Sequence, residues 1–166
     1  IPYNDQLKVE NLTFAAPDVG CANRIREIAS YFSAEMVICD KHRKRANEIS
    51  SMVVIGDVTD RDIVLIDDIC DTGGTLAKAA GLLLEKGARS VRALCTHPVL
   101  SGNAYANIEN SVLDELVVCD TIPLRGHCSK IKVLSTAELF AVAIRNAYEN
   151  QSITSLFIHS QRRGLK

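Results

Sequence analysis

Short apolar runs alternate along this chain with stretches in which apolar residues recur every three to four positions. The first pattern predicts strands and the second predicts amphipathic helices. Strands are expected at 12–16, 36–39, 52–55, 63–66, 91–95, 116–119 and 131–134. Helices are expected at 22–32, where Ile25, Ile28 and Phe32 share one face, at 76–86, closed by Gly87, and at 104–110. Ser135-Thr136-Ala137-Glu138 reads as a capping box opening a last helix over 137–150. Residues 1–11 show no periodic pattern, and 158–166 form a polar tail.

Strands alternating with helices imply βαβ units and a mostly parallel twisted sheet flanked by helices, an α/β architecture. Ligands of such sheets bind outside the carboxyl ends of the strands. Four polar or glycine-bearing loops follow strand ends, at 17–21, 40–50, 67–75 and 96–103. One sheet edge is therefore expected to gather all four.

The 166 residues suit a single domain spanning 1–166, and 47% of them are hydrophobic, enough for one core. A formal net charge of −1 gives no support for a nucleic-acid partner. No apolar run approaches a membrane span, and no signal peptide opens the chain. The cysteines at 21, 39, 70, 95, 119 and 128 form no C-x-x-C pair. Cys39, Cys95 and Cys119 end strand-like runs, as small buried hydrophobes do. They are read as reduced thiols of a cytoplasmic protein. Cys70 lies inside a loop, where a reactive thiol remains open.

Chemistry concentrates in the run Val64-Leu65-Ile66-Asp67-Asp68-Ile69-Cys70-Asp71-Thr72-Gly73-Gly74-Thr75-Leu76. Two adjacent carboxylates can hold sugar hydroxyls, or a hard cation bound to them. The glycines let backbone N–H groups approach a phosphate, and the following helix start directs partial positive charge at it. An acid pair beside a phosphate cradle suits a sugar phosphate. In the first loop, Asp18 is a metal ligand or a helix cap, Gly20 suits a second phosphate site, and Arg24 lies on the following helical turn. In the second loop, Asp40-Lys41-His42-Arg43-Lys44-Arg45 opens a polar stretch expected to be a strand-free flap, an electrostatic clamp for phosphoryl transfer. In the fourth, His97 is a ligand contact or a structural histidine, and Ser101-Gly102-Asn103 caps the next helix or contacts ligand.

The run at 64–76 resembles the PRPP motif of the phosphoribosyltransferase fold. With Pro17-Asp18-Val19-Gly20, Asp40-Lys41-His42-Arg43, Thr96-His97-Pro98, Ser101-Gly102-Asn103-Ala104, Asn110 to Glu115 and Cys119-Asp120-Thr121-Ile122-Pro123, the chain resembles the C-terminal half of the ribose-phosphate pyrophosphokinase (PRPP synthetase) family over about 12–157. The resemblance implies a type I phosphoribosyltransferase-like fold. It implies transfer of the diphosphoryl group of Mg-ATP to the 1-hydroxyl of ribose 5-phosphate, giving PRPP and AMP. It implies Lys41 as catalytic lysine with Arg43 as its partner on the transferred group and on substrate. Asp67 and Asp68 would hold the ribose hydroxyls, and Asp71, Thr72, Gly73, Gly74 and Thr75 the 5-phosphate. Asp18 would bind Mg²⁺, with the loop of Asp18 and Gly20 against the ATP diphosphate.

The family usually has a second glycine where Cys21 stands, so a side chain is expected to crowd the diphosphate there, and His42 stands where arginine is usual. These synthetases have two similar domains and are homo-oligomers. The chain is expected to be one domain of such an enzyme, cut from a longer protein, that needs the missing half for activity. Two alternatives differ in class. A PRPP-consuming phosphoribosyltransferase would need a base-recognising hood, which is not evident. A non-catalytic synthetase-like regulatory subunit would not need to retain Lys41, Arg43, Asp67 and Asp68.

Overall fold

The computed structural model describes residues 9, 11–45 and 48–157, with 41–45 and 48–51 described as backbone alone. The opening segment and the 158–166 tail lie outside the described residues.

Seven strands form one sheet: β1 (Leu12–Ala16), β2 (Glu35–Arg45), β3 (Glu48–Ile55), β4 (Asp62–Cys70), β5 (Ser90–Pro98), β6 (Glu115–Cys119) and β7 (Ile131–Leu134). The helices are α1 (Ala22–Tyr31), α2 (Gly74–Glu85), α3 (Ala104–Glu109) and α4 (Ala137–Tyr148). The strand order is β3-β2-β1-β4-β5-β6-β7. All neighbours are parallel except β2 and β3, which pair antiparallel. The expected mostly parallel α/β sheet is the one observed.

Alternation along the strands splits the core between two faces. Phe14, Ala16 and Val64 pack against Cys21, Ile25 and Ala29 on the α1 side. Ala15, Ile63, Leu65, Val91 and Ala93 pack on the opposite face with Leu76, Ala79, Ala80 and Leu83 of α2 and Ile108 of α3. Helix α2 ends as its glycine predicts. Gly87 has φ +97°, its N–H donates to the Leu84 carbonyl (2.9 Å), and the Ala88 N–H donates to Leu83 (3.0 Å). That double bond is a Schellman closure.

The structure corrects several boundaries. The stretch expected to be a strand-free flap is paired: β2 runs on through Arg45, and β3 begins at Glu48. Lys41 stands opposite Met52 and His42 opposite Ser51, with register shifts on either side of Arg43. An antiparallel ribbon satisfies its own backbone without needing apolar side chains, so hydropathy alone misses it. Likewise β4 runs through both aspartates to Cys70, and β5 runs through Thr96-His97-Pro98.

Helix α4 begins where expected, but the reciprocal capping box is not formed, and Thr136 caps it without a side-chain bond. Asp120 instead accepts from Ser135 Oγ (2.6 Å), Thr136 Oγ1 (2.7 Å) and the Thr136 N–H (2.8 Å). None of the residues of α4 is buried; Leu139, Phe140, Ile144 and Tyr148 are exposed. Among the described residues, no helix is long and apolar enough to cross a membrane.

Candidate functional site

Strands β2, β1, β4 and β5 are neighbours in that order, so the segments following them share one sheet edge. From β1 the chain passes to β2 on one side and, after β3, to β4 on the other. The order therefore reverses between β1 and β4, and a crevice opens at such a switch point. Asp18 follows β1, and Asp67 and Asp68 lie near the end of β4, on either side of it.

The two aspartates point to opposite faces, because consecutive strand residues do. Asp68 continues the Val64 and Ile66 row that faces α1. There its Oδ2 takes a hydrogen bond from Arg24 Nη2 on α1, at 3.3 Å. Asp67 continues the Leu65 row on the other face and is half-buried. Its Oδ1 accepts the Asp68 N–H at 2.9 Å. Burial pushes the Asp67 carboxyl up to about 6, and the charges of Asp68 and Asp18 add to the rise. Burial also presses on Asp68, but the hydrogen bond and charge of Arg24 outweigh it and hold that carboxyl below its ordinary value. The pair is thus split into one readily protonated acid and one firmly ionised one.

The loop after β4 is short, from Asp71 to Gly73. Gly73 has φ +72°, and a Cβ there would lie 3.0 Å from Ile108 Cδ1, so both backbone and packing require glycine. At Gly74 a Cβ would meet only Thr72 Oγ1, at 3.7 Å, so the fold does not demand glycine there. Gly73 is the N-cap of α2 and supplies no side-chain bond to the helix start. The first N–H groups of this 12-residue helix are therefore uncapped by side chains and suited to an anion.

The fourth segment braces the third. Ser101 Oγ donates to the Asp71 carboxylate, and the Ser101 N–H donates to the Asp71 carbonyl at 3.0 Å. The Leu100 N–H donates to the Cys70 carbonyl at 3.0 Å, and Asn107 Nδ2 to the Thr72 carbonyl at 2.8 Å. Asn103 caps α3 without a side-chain bond. Sequence reasoning missed Asn107 and the bracing role of Ser101, since nothing in the sequence pairs positions about thirty residues apart. His97 Nδ1 lies 3.0 Å from Thr121 Oγ1, and that hydroxyl donates to the Thr96 carbonyl at 2.9 Å. With its proton committed, the Thr121 hydroxyl can only accept from His97, so Nδ1 carries the ring proton.

Asp18 takes the role of a cap: its Oδ1 accepts the Cys21 N–H at 3.2 Å, at the head of the 3₁₀ turn Val19–Cys21. It also lies close enough to Asp67 for their charges to interact. Cys21, where crowding of a diphosphate is expected, turns into the core. Its side chain is buried with Phe14 and Ile25, and Sγ donates to the Asp18 carbonyl at 3.2 Å. A Cβ at Gly20 would sit 3.2 Å from Asp18 Oδ1. The reactive reading of Cys70 is also corrected: the thiol is buried, and burial pushes it up to about 11. Cys39 and Cys95 are buried as expected, whereas Cys119 is only half-buried. The side chains of Lys41, His42 and Arg43 lie outside the described residues; their backbone belongs to the ribbon beside β1.

Among the described residues, no group of three acidic, histidine or cysteine side chains is arranged to hold a metal.

An acid pair and a glycine-bearing loop leading into a helix lie at the switch point of a mostly parallel sheet, and comparison with known proteins makes the class specific. The family model for the phosphoribosyl synthetase-associated domain matches residues 26–158. The chain belongs to that family. It is 51% identical over 161 residues to the ribose-phosphate pyrophosphokinase of Campylobacter jejuni, covering 95% of this chain and 52% of that protein. With the Porphyromonas gingivalis ribose-phosphate pyrophosphokinase, identity is 47% over 151 residues, 91% of this chain and 48% of that one. The crystal structure of phosphoribosylpyrophosphate synthetase from Mycobacterium smegmatis superposes with a TM-score of 0.81 at 32% identity, over 90% of this chain and 49% of that one. The fold is thus the type I phosphoribosyltransferase-like fold. The chain spans about half the length of the curated relatives it matches.

Proposed function

We propose that this chain is the ribose 5-phosphate-binding half of a ribose-phosphate diphosphokinase, which moves the diphosphoryl group of ATP onto the 1-hydroxyl of ribose 5-phosphate and yields PRPP and AMP. One observation carries the reading. The acid pair lies near the end of β4 at the switch point, a few residues before a left-handed Gly73 and a helix start free of side-chain caps. The relatives' names support the same reaction.

In this reading Asp68, kept ionised by Arg24, and Asp67 accept hydrogen bonds from the ribose hydroxyls. Asp71, Thr72, Gly73, Gly74 and Thr75 surround the 5-phosphate, with Ser101 and Asn107 holding the loop in shape. Lys41 and Arg43, carried on the β2–β3 ribbon, close over the transferred group and on substrate. Lysine supplies a point charge and arginine a fork of donors where negative charge spreads over the phosphoryl oxygens. Asp18 is the residue that would hold Mg²⁺, which neutralises charge on the diphosphate oxygens when bound. The turn of Asp18 and Gly20 lies against the ATP diphosphate. The protein's own contribution is positioning and charge stabilisation. The companion half and a homo-oligomeric assembly complete the ATP site.

Two variants test this. The Asp67→Asn, Asp68→Asn double variant should bind ribose 5-phosphate at least about tenfold more weakly, the loss of two charge-assisted hydrogen bonds; unchanged affinity places the sugar elsewhere. Lys41→Ala in the longer enzyme should lower turnover by about two to three orders of magnitude while sparing ribose 5-phosphate affinity. Parent-like turnover removes Lys41 from the chemistry.

A further inference from the structure

We infer that Arg24 is a positioning residue that sets the preference of the sugar site for ribose over 2-deoxyribose, acting through Asp68. The inference rests on the proposed reading of the acid pair as the holder of the ribose hydroxyls.

Asp67 is fixed twice: it is half-buried, and its carboxylate accepts the Asp68 N–H. Asp68 is the more exposed of the two. Its side chain is 53% exposed, on the face of the sheet opposite that of Asp67. An exposed aspartate at a strand end samples several rotamers, and each directs its oxygens differently. Arg24 Nη2 donates to its carboxylate at 3.3 Å. Arg24 stands on the first turn of α1, and α1 is clamped to the sheet by Ile25 and Ala29, both buried. Its backbone is therefore fixed, and the ion pair favours the Asp68 rotamer that meets the guanidinium.

Two consequences follow. A hydrogen bond from one guanidinium nitrogen occupies one carboxylate oxygen and leaves the other turned outward as an acceptor. That oxygen can take the proton of a sugar hydroxyl at small entropic cost, since the rotamer is already chosen. In this assignment Asp68 takes the 2-hydroxyl, which 2-deoxyribose lacks, so the deoxy sugar gains nothing from it. Arg24 thus acts on discrimination between sugars and not on the phosphate, for which the start of α2 is the proposed receiver. The ion pair also ties the segment after β1 to the end of β4 across the switch point.

The experiment compares ribose 5-phosphate with 2-deoxyribose 5-phosphate on the full chain, by ³¹P NMR titration, which reads affinities into the millimolar range. The parent should favour the ribose compound. Arg24→Gln should reduce that preference by about three- to tenfold and leave the affinity for the deoxy compound within about twofold. Arg24→Lys keeps the charge, loses the guanidinium geometry and should recover only part of the preference. An unchanged preference in Arg24→Gln overturns the inference. Equal weakening of both ligands also overturns it, because Arg24 would then serve the phosphate or the fold. A parent that binds both sugars equally fails at an earlier point: it contradicts the diol-holding role of the acid pair itself. Loss of all binding by the parent contradicts the sugar-phosphate site.

Discussion

Asp67→Asn should make the unliganded protein more stable, and by an amount that depends on pH. The Asp67 carboxyl is pushed up to about 6, first by burial and then by the charges of Asp68 and Asp18. In the unfolded chain an aspartate titrates near 3.9. The folded state therefore binds more protons than the unfolded state in the window between about 4 and 6. Stability must fall as pH rises through that window and level off above it. The contribution is fully present below pH ~4, where Asp67 is protonated in both states. A gap of about two pKa units corresponds to at most about 3 kcal/mol, and solvent reaching this half-buried group reduces it to about 2 kcal/mol.

Asparagine keeps the shape and can still accept the Asp68 N–H, but it carries no charge. The assay is urea unfolding of parent and variant at half-unit steps from pH 4 to pH 8, with chelator present and no sugar phosphate. The difference between variant and parent should grow in the variant's favour by about 2 kcal/mol between pH 4 and pH 7. Most of the change should lie below pH ~6.5. A difference constant to within about 0.5 kcal/mol across the range would refute the reasoning, for it would mean that Asp67 titrates as an ordinary surface acid. The physical content is that this site stores destabilisation which a ligand can relieve.

Gly73→Ala forces a β-carbon into a left-handed backbone and against Ile108, and should cost about 1–3 kcal/mol in urea unfolding. Gly74→Ala, with open space at its β-carbon, should change stability by less than about 0.5 kcal/mol; equal losses in the two variants would contradict the geometry. Cys70, buried and with its thiol pushed up to about 11, should react with iodoacetamide at pH 8 only when the protein is unfolded, and rapid alkylation of the native chain would show an opening the structure lacks.

How much of this was legible in the sequence depended on which force wrote each feature. Burial wrote the strand and helix positions, so apolar runs such as 63–66 and 91–95 located β4 and β5. It did not write their ends. The aspartates at 67 and 68 and the histidine at 97 look like loop, yet backbone pairing carries both strands past them. The ribbon at 40–50 was unreadable for the same reason, because its backbone pairing leaves no hydropathy pattern in a polar stretch. Backbone geometry wrote Gly73 and Gly87, and a single glycine announces such positions locally. Contacts between distant segments left no local trace. Arg24 reaching Asp68, Ser101 reaching Asp71 and Asn107 reaching Thr72 depend on strand order, which hydropathy does not encode. The capping box at 135–138 was legible and misleading. Asp120 competes for Ser135 and Thr136 and takes them.

The central claim is a sugar-phosphate site built by β4 and the start of α2, and calorimetric titration of this chain with ribose 5-phosphate, with and without Mg²⁺, tests it most directly. The account predicts saturable binding of one ribose 5-phosphate per chain. A chain shown by circular dichroism to be folded that takes up no ribose 5-phosphate under either condition would contradict it.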